Sequence, residues 1–133
     1  LQDRLEAVAD ENVEFLGRLD DAALSEVLVR SRALIFPGLE DFGIVPLEAM
    51  AAGVPVVAFG KGGALDTVID GETGVLFYEQ TVEALCGAVE RVEARPDGFD
   101  RERLRAHARG FDASVFRQRF QSCVERLLED GTA

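Results

Sequence analysis

Short apolar runs alternate with segments of helical periodicity along most of this chain, and this alternation restricts its fold more than any other feature. Four runs are predicted strands: Val13–Leu16, Ala33–Phe36, Val56–Ala58 and Val75–Phe77. The run Ala33–Phe36 is apolar throughout, which is typical of a strand buried on both faces. Strands joined by helices form a parallel sheet, so the sequence predicts a doubly wound α/β fold.

Helical signals fill the segments between and after these runs. The predicted helices are an opening turn or two containing Leu1, Leu5 and Val8, then Ala22–Arg30 behind a cap at Asp20 or Asp21, Gly43 or Ile44 to Gly53, Ala64–Ile69, Thr81–Glu93, Arg101–Arg109 and Ala113–Glu129. Pro96-Asp97-Gly98 separates the helices on either side of it. Two apolar stripes at helical spacing are expected to be core: Leu24, Val27 and Leu28, and then Phe116, Phe120, Val124 and Leu127.

Length and charge exclude several classes of function. The 133 residues suit one domain, 1–133, whose last helix lies within 112–130. A net charge of −11 disfavours nucleic acid and anionic lipid as partners. No apolar run is long enough to span a bilayer and no secretory signal is present, so we expect a cytoplasmic protein. Cys86 and Cys123 have no metal-ligand spacing, which predicts packed, reduced thiols and no metal.

The stretch from Glu40 to Ala58 is the strongest candidate for a binding site. Glu40 and Glu48 have seven residues between them, and Gly43 lies there at a predicted helix start. The first turn of a helix attracts anions through free N–H groups and the helix dipole. Carboxylates bind sugar hydroxyls through charge-assisted hydrogen bonds. A ligand with both phosphates and hydroxyls fits this pattern, and we infer a nucleotide-sugar.

The predicted topology brings further loops to the same place. Ligands of open α/β sheets bind beyond the carboxyl ends of the strands. The loops expected at that edge are Gly17-Arg18, Pro37–Gly43, Phe59–Gly63 and Tyr78–Thr81. Gly62-Gly63 has two interpretations, proximity to the sugar or a turn before a helix. Lys61 is expected to be a solvated loop residue.

The string EDFGIVPLEAMAAGVPVVA, followed by Gly62-Gly63 and by DGETG at 70–74, resembles glycosyltransferase family 4. The resemblance covers about Val13 to the end of the chain. It implies a Rossmann-like parallel sheet with helices on both faces, forming an incomplete C-terminal domain of the two-domain GT-B architecture. Within that family, the residues of this string most resemble those of bacterial mannosyltransferases that assemble surface polysaccharides or glycolipids.

The resemblance implies roles for individual residues. Glu40 would contact hydroxyls of the donor sugar as the catalytic carboxylate, and Glu48 would bind the ribose hydroxyls, with Leu47 beside them. Asp41, Phe42, Gly43 and Ile44 would hold the sugar and the distal phosphate. Gly17 and Arg18 would border the base, and Gly62 and Gly63 are candidates for a position near the sugar.

The resemblance also implies a reaction mechanism and further parts of a complete family member that lie outside this sequence. Transfer would retain the anomeric configuration, without a metal or other cofactor. Relatives carry an Arg and a Lys for the diphosphate on earlier strands and an acceptor-binding N-terminal domain, which would receive a glycan or a lipid-linked acceptor. The final helix would brace that domain, and without that domain some of its apolar face would be exposed or would pack on a neighbouring copy. Asp66 stands where the family usually has Glu, so no role is carried over to it.

Three hypotheses follow for function. The first is the donor-binding portion of a retaining hexosyltransferase, using GDP-mannose as first choice and a UDP-hexose as second, in a complete enzyme that could act at the inner face of the membrane. The second is a non-catalytic nucleotide-binding or scaffold module, inactive without an acceptor domain. An epimerase or a phosphorylase is the third. Such epimerases lack the glutamate spacing, and nothing marks Lys61 as carrying the pyridoxal group of phosphorylases.

Overall fold

The computed structural model describes residues 2–95 and 97–131. Leu1 of the predicted opening helix and Pro96 of the predicted separator lie outside these residues. The elements are α1 Gln2–Glu6, α2 Asp21–Arg30, β1 Leu34–Phe36, α3 Ile44–Ala51, β2 Val56–Phe59, α4 Ala64–Thr67, β3 Gly74–Phe77, α5 Val82–Glu93, α6 Arg101–Arg109 and α7 Ala113–Asp130. Three of the four predicted strands and all the predicted helices are present.

The three strands form one parallel sheet in the order β1-β2-β3. Leu34 pairs with Val56, and Val56 pairs in turn with Gly74 on the other side. Every residue of β2 and β3 is buried. This is the α/β arrangement that the alternation of runs and helices predicts.

Successive residues of β2 point to opposite faces of the sheet, as strand geometry requires. Val56 and Ala58 join an apolar cluster with Met50 of α3 and Leu104 of α6. Val57 and Phe59 join a second cluster with Ala88 of α5. Helices therefore cover both faces, and the predicted Rossmann-like layering is confirmed.

The predicted strand Val13–Leu16 is wrong, because this segment pairs with no strand among the described residues. Val13 and Leu16 are 50% and 44% exposed. Without a neighbouring ladder, an apolar run has neither backbone hydrogen bonds nor a buried face to hold it extended. The loop Gly17-Arg18, which was expected at the carboxyl edge of the sheet, therefore does not follow a strand.

Two predictions of burial on the β1 side are also wrong. Only Leu28 of α2 is buried, while Leu24 and Val27 are exposed. Ile35 of β1 is 42% exposed, although a strand buried on both faces was expected. β1 is an edge strand in the described sheet, and its residues are less buried than those of the central strand β2.

The stripe on α7 is likewise exposed rather than core. Phe116 and Phe120 are 65% and 60% exposed and stack on each other with ring centroids 5.9 Å apart. Val124 and Leu127 continue the same exposed stripe. The periodicity therefore predicts the helix correctly, but its apolar stripe is exposed and is not part of the core. Cys86 and Cys123 are free thiols, also exposed rather than packed.

The segment Asp70–Gly74 has a structural explanation. Asp70 accepts a hydrogen bond from the Leu76 N–H (2.8 Å) and forms an ion pair with Arg91 (3.1 Å). Thr73 is buried and its hydroxyl oxygen accepts from the Ile69 N–H at 2.8 Å. These contacts fasten the start of β3 to α5, so this part of the motif stabilises the fold.

Candidate functional site

The loops that follow the three strands meet at the carboxyl edge of the sheet. The loop 37–43 follows β1 and contacts both of the others. Gly63, after β2, donates its N–H to the Glu40 carbonyl at 2.9 Å. Gln80, after β3, donates its side-chain amide to the Pro37 carbonyl at 3.0 Å. The loop that carries Glu40 is therefore held from two sides.

Gly62 and Gly63 allow this close approach of two backbones. A Cβ at Gly63 would lie 2.4 Å from the Phe42 Cα and 2.6 Å from the Asp41 carbonyl oxygen. A Cβ at Gly62 would lie 2.6 Å from the Glu40 carbonyl oxygen, and its φ of +63° also favours glycine. These distances explain both glycines by loop packing. Their proximity to a sugar stays a prediction.

Helix α3 begins at this junction with unpaired donors. Gly43 precedes it with φ +80° and provides no side-chain cap. Among the described residues, no hydrogen bond uses the N–H of Phe42, Gly43, Ile44 or Val45 as donor. Free N–H groups and the positive end of the helix dipole give such a helix start affinity for an anion. The geometry that the sequence predicts here is present.

Glu48 lies one turn further along α3 and is exposed. It borders a cavity of about 750 Å³, together with Phe42, Ile44 and Leu47. It also borders a second depression of about 380 Å³ between α2 and α3. The structure thus brings four of the predicted site residues to one cavity, with Glu48 as the carboxylate among them. Glu40 does not line this cavity. It lies on the loop that precedes the start of α3.

Gly17 and Arg18 lie apart from this group. Gly17 lines a depression with Leu5 and Phe15 of the N-terminal segment. Arg18 lines another with Asp20 and Asp21. Neither depression includes a residue of α3, because the segment before Gly17 is not part of the sheet. Lys61 is exposed, as expected.

The far wall of the large cavity comes from residues that sequence reasoning missed. They belong to the end of α6, the turn after it and the start of α7: Arg105, Ala108, Arg109, Phe111, Asp112, Ala113 and Phe116. Arg105 contacts Glu102 and donates to the Ala52 carbonyl at 3.5 Å. The sequence predicts helix α6 itself, but it does not predict the packing of α6 on α3.

Asp112 is the acidic group on that far wall. It caps α7, accepting from the backbone N–H and the hydroxyl of Ser114, each at 3.0 Å. These hydrogen bonds lower the pKa of Asp112 below its usual range; the charge of Arg117 adds to them and desolvation opposes them. Asp112 therefore stays ionised and stabilises the start of α7, which lines the cavity.

The part of the chain that the structure describes contains neither a cluster of metal ligands nor a helix that could cross a membrane. There, no three His, Cys, Asp or Glu side chains cluster as metal ligands would. The prediction of metal independence remains a prediction. No helix within 2–95 and 97–131 combines the length and apolar character that crossing a bilayer requires.

A parallel sheet covered on both faces, with glycine-bearing loops meeting an uncapped helix start, defines a Rossmann-like α/β domain of the GT-B glycosyltransferase type. The sucrose-phosphate synthase of Thermosynechococcus elongatus has the same fold, with a TM-score of 0.80 and 28% identity over 97% of this chain and 34% of its own. The family model "Glycosyl transferases group 1" matches residues 2–111, and the chain belongs to this family.

Two mannosyltransferases are among its relatives. The alpha-1,3/1,6-mannosyltransferase ALG2 of Dictyostelium discoideum is 33% identical over 96% of this chain and 31% of its own length. The phosphatidyl-myo-inositol mannosyltransferase of Propionibacterium freudenreichii is 42% identical over 79% of this chain and 29% of its own length. The chain spans about a third of the length of each of these two relatives.

Proposed function

We propose that this chain is the donor-binding portion of a retaining glycosyltransferase of family 4, which transfers a hexose from a nucleoside diphosphate sugar to a glycan or lipid-linked acceptor. The observation that carries the proposal is the start of α3, where the Ile44 and Val45 N–H groups have no acceptor among the described residues. Glu48 and the Glu40 loop lie on either side of that helix start. An anionic diphosphate supplies the acceptors that these donors lack.

The chemistry needs no change of protonation at either carboxylate. A carboxylate that accepts from vicinal hydroxyls works in its ionised form, unlike the acid of a glycosidase pair. Catalysis then consists of positioning and of stabilising the departing diphosphate. We therefore propose that Glu48 binds the ribose, that Glu40 binds the sugar, and that no metal or other cofactor takes part. We place the reaction in the cytoplasm.

GDP-mannose is the proposed donor, with a UDP-hexose as the alternative. Support comes from the names of two relatives, both of which are mannosyltransferases. Titration of the chain with GDP, UDP, GDP-mannose and UDP-glucose, followed by calorimetry, tests the class and the base together. We expect saturable binding of one nucleotide and its sugar derivative, either GDP with GDP-mannose or UDP with UDP-glucose. Absence of binding for all four at millimolar concentration would contradict the proposal.

A second candidate is a module that binds the nucleotide without turnover. The coverage of about a third of each relative favours it for the 133 residues alone. The two candidates are separated by a hexose-transfer assay with a supplied acceptor, run on the isolated chain and on the complete gene product. We expect binding without transfer by the isolated chain and transfer by the complete gene product. Transfer by these residues alone would exclude the module, and no transfer by the complete gene product would exclude the transferase.

Glu40→Ala should reduce discrimination among sugars while leaving the affinity for free nucleotide nearly unchanged. The reason is that Glu40 lies on the loop before α3 and is proposed to contact only the hexose. We expect the nucleotide-sugar to lose roughly 5- to 150-fold in affinity, as for a lost charge-assisted hydrogen bond. Calorimetry with GDP and GDP-mannose measures both affinities. Glu11→Ala, in an exposed turn, is the matched control, and an equal loss for both ligands would refute the assignment.

A further inference from the structure

His107 on α6 makes a specific hydrogen bond to another element. Its Nε2 lies 2.8 Å from the Thr67 carbonyl oxygen at the end of α4. A carbonyl oxygen can only accept, so Nε2 carries the proton and donates it. The imidazole is half-buried, and it is the only histidine in the chain. One donor from α6 thus fixes the end of a four-residue helix.

That short helix is tied to the loop of Glu40. The Thr67 side chain is buried, and its hydroxyl donates to the Gly63 carbonyl at 3.0 Å. The N–H of the same Gly63 donates to the Glu40 carbonyl at 2.9 Å. Three successive hydrogen bonds therefore connect the His107 ring to the backbone of Glu40.

A second route starts from the other side of the same ring. His107 meets Phe111 edge-on, with ring centroids 5.3 Å apart and an interplanar angle of 66°. Phe111 in turn packs on Phe42, with centroids 6.2 Å apart. Tilted and edge-on ring pairs of this kind are favourable beyond their buried area. The polar route ends at Glu40 and the aromatic route ends at Phe42, two residues later.

We propose that His107 is a positioning residue for the loop Glu40–Gly43, holding the Glu40 backbone through α4 and the Phe42 ring through Phe111. The role deepens the proposed function and rests on it, because Glu40 and Phe42 are the proposed contacts to the donor sugar. A purely structural role in anchoring α6 is an inferior explanation. Leu104, fully buried one turn earlier, already anchors that helix in the core.

Two substitutions separate the two routes. His107→Gln keeps an N–H donor for the Thr67 carbonyl and removes the ring. His107→Phe keeps the ring against Phe111 and removes the donor. His107→Ala removes both, and Ala106→Gln, at an exposed position of α6, is the matched control.

Amide hydrogen exchange in the ligand-free chain tests the positioning without any assumption about donor binding. We expect the Gly63 amide to exchange roughly fivefold faster in His107→Ala and His107→Phe, which corresponds to one hydrogen bond of ordinary net strength. His107→Gln should restore the rate. The Leu76 amide, bonded to Asp70, is the internal reference. Equal acceleration at both amides would mean general destabilisation, and an unchanged Gly63 rate would overturn the proposal.

A double-mutant cycle with Glu40→Ala tests the link to the donor. His107→Ala should weaken the nucleotide-sugar roughly fivefold and leave free nucleotide unchanged. In the Glu40→Ala background the further loss should be clearly smaller than fivefold, because coupled residues are not additive and only the aromatic route to Phe42 remains. Additive losses would overturn the link to Glu40. If the wild-type chain binds no nucleotide-sugar, the proposed function fails with that part of the inference, and the exchange rates still decide whether His107 holds the loop.

Discussion

Replacing Glu48 with alanine is expected to weaken binding of the free nucleoside diphosphate by about 1–3 kcal/mol, or roughly 5- to 150-fold in Kd. Glu48 is exposed on α3 and borders the large cavity, where its carboxylate is proposed to accept from the two ribose hydroxyls. Loss of these charge-assisted bonds affects nucleotide and nucleotide-sugar alike. Calorimetric titration with GDP and UDP measures the change.

Two variants make this result specific. Glu48→Gln keeps the shape and loses the charge, so its loss should be smaller than that of alanine. Glu90→Ala removes an exposed glutamate from α5, on the other face of the sheet, and should leave Kd unchanged. If Glu48→Ala binds the nucleotide as tightly as wild type, Glu48 does not belong to the proposed site. The effect of Glu40→Ala on the affinity for the nucleotide-sugar would still test the role of Glu40.

Gly74→Ala is expected to cause the largest loss of stability of any variant considered. Gly74 starts β3 and pairs with Val56 of the central strand. A Cβ there would lie 2.0 Å from the Val56 carbonyl oxygen and 3.0 Å from its nitrogen, and strand backbone cannot move aside without breaking the ladder. Overpacking against backbone should cost about 3 kcal/mol. The midpoint of thermal unfolding should fall by roughly 10 °C.

Gly87→Ala provides the matched control for this effect. Gly87 lies inside α5, and a Cβ there would meet no atom within 4 Å. Alanine should therefore stabilise the chain by about 0.5–1 kcal/mol, since glycine in a helix interior costs that much. Urea unfolding measures both variants. A Gly74→Ala protein as stable as wild type would mean that the β2–β3 pairing is not formed as described.

The region from α3 to the start of α5 could be predicted from the sequence because local signals and burial agree there. Gly43 and Gly53 bound α3 where their sequence positions predict, and both have positive φ. The valines of β2 are fully buried, as a continuous apolar run in a parallel sheet requires. Thr81 accepts from the Ala84 N–H as a cap before α5. In each case the residue type and its surroundings favour one conformation.

Burial could not be predicted where it depends on what lies beside an element. Val13–Leu16 and the stripe on α7 have the composition of buried segments, yet both are exposed because no described layer covers them. Apolar periodicity reports which face of an element is suited to packing. It does not report whether another element reaches that face.

The candidate site likewise has one part that could be predicted from local sequence and one part that could not. The helix start at Gly43 and the position of Glu48 follow from local sequence, and the structure brings them to one cavity with Phe42 and Leu47. The opposite wall, from Arg105 to Phe116, depends on the packing of α6 against α3, which pairs residues about 50 positions apart. No local pattern carries that information. Whether any of these residues touches a donor remains a prediction.

The central position of β2 has a consequence for the order of events in folding. Both of its partners are distant in the chain, since Leu34 and Gly74 pair with Val56 across intervening helices. Closing such loops costs entropy before any ladder forms. The helices can nucleate from local contacts within microseconds, while assembly of the sheet has to await chain closure. The rate-limiting step should therefore be the docking of strands onto β2, and the loop that carries Glu40 should become ordered only after that step.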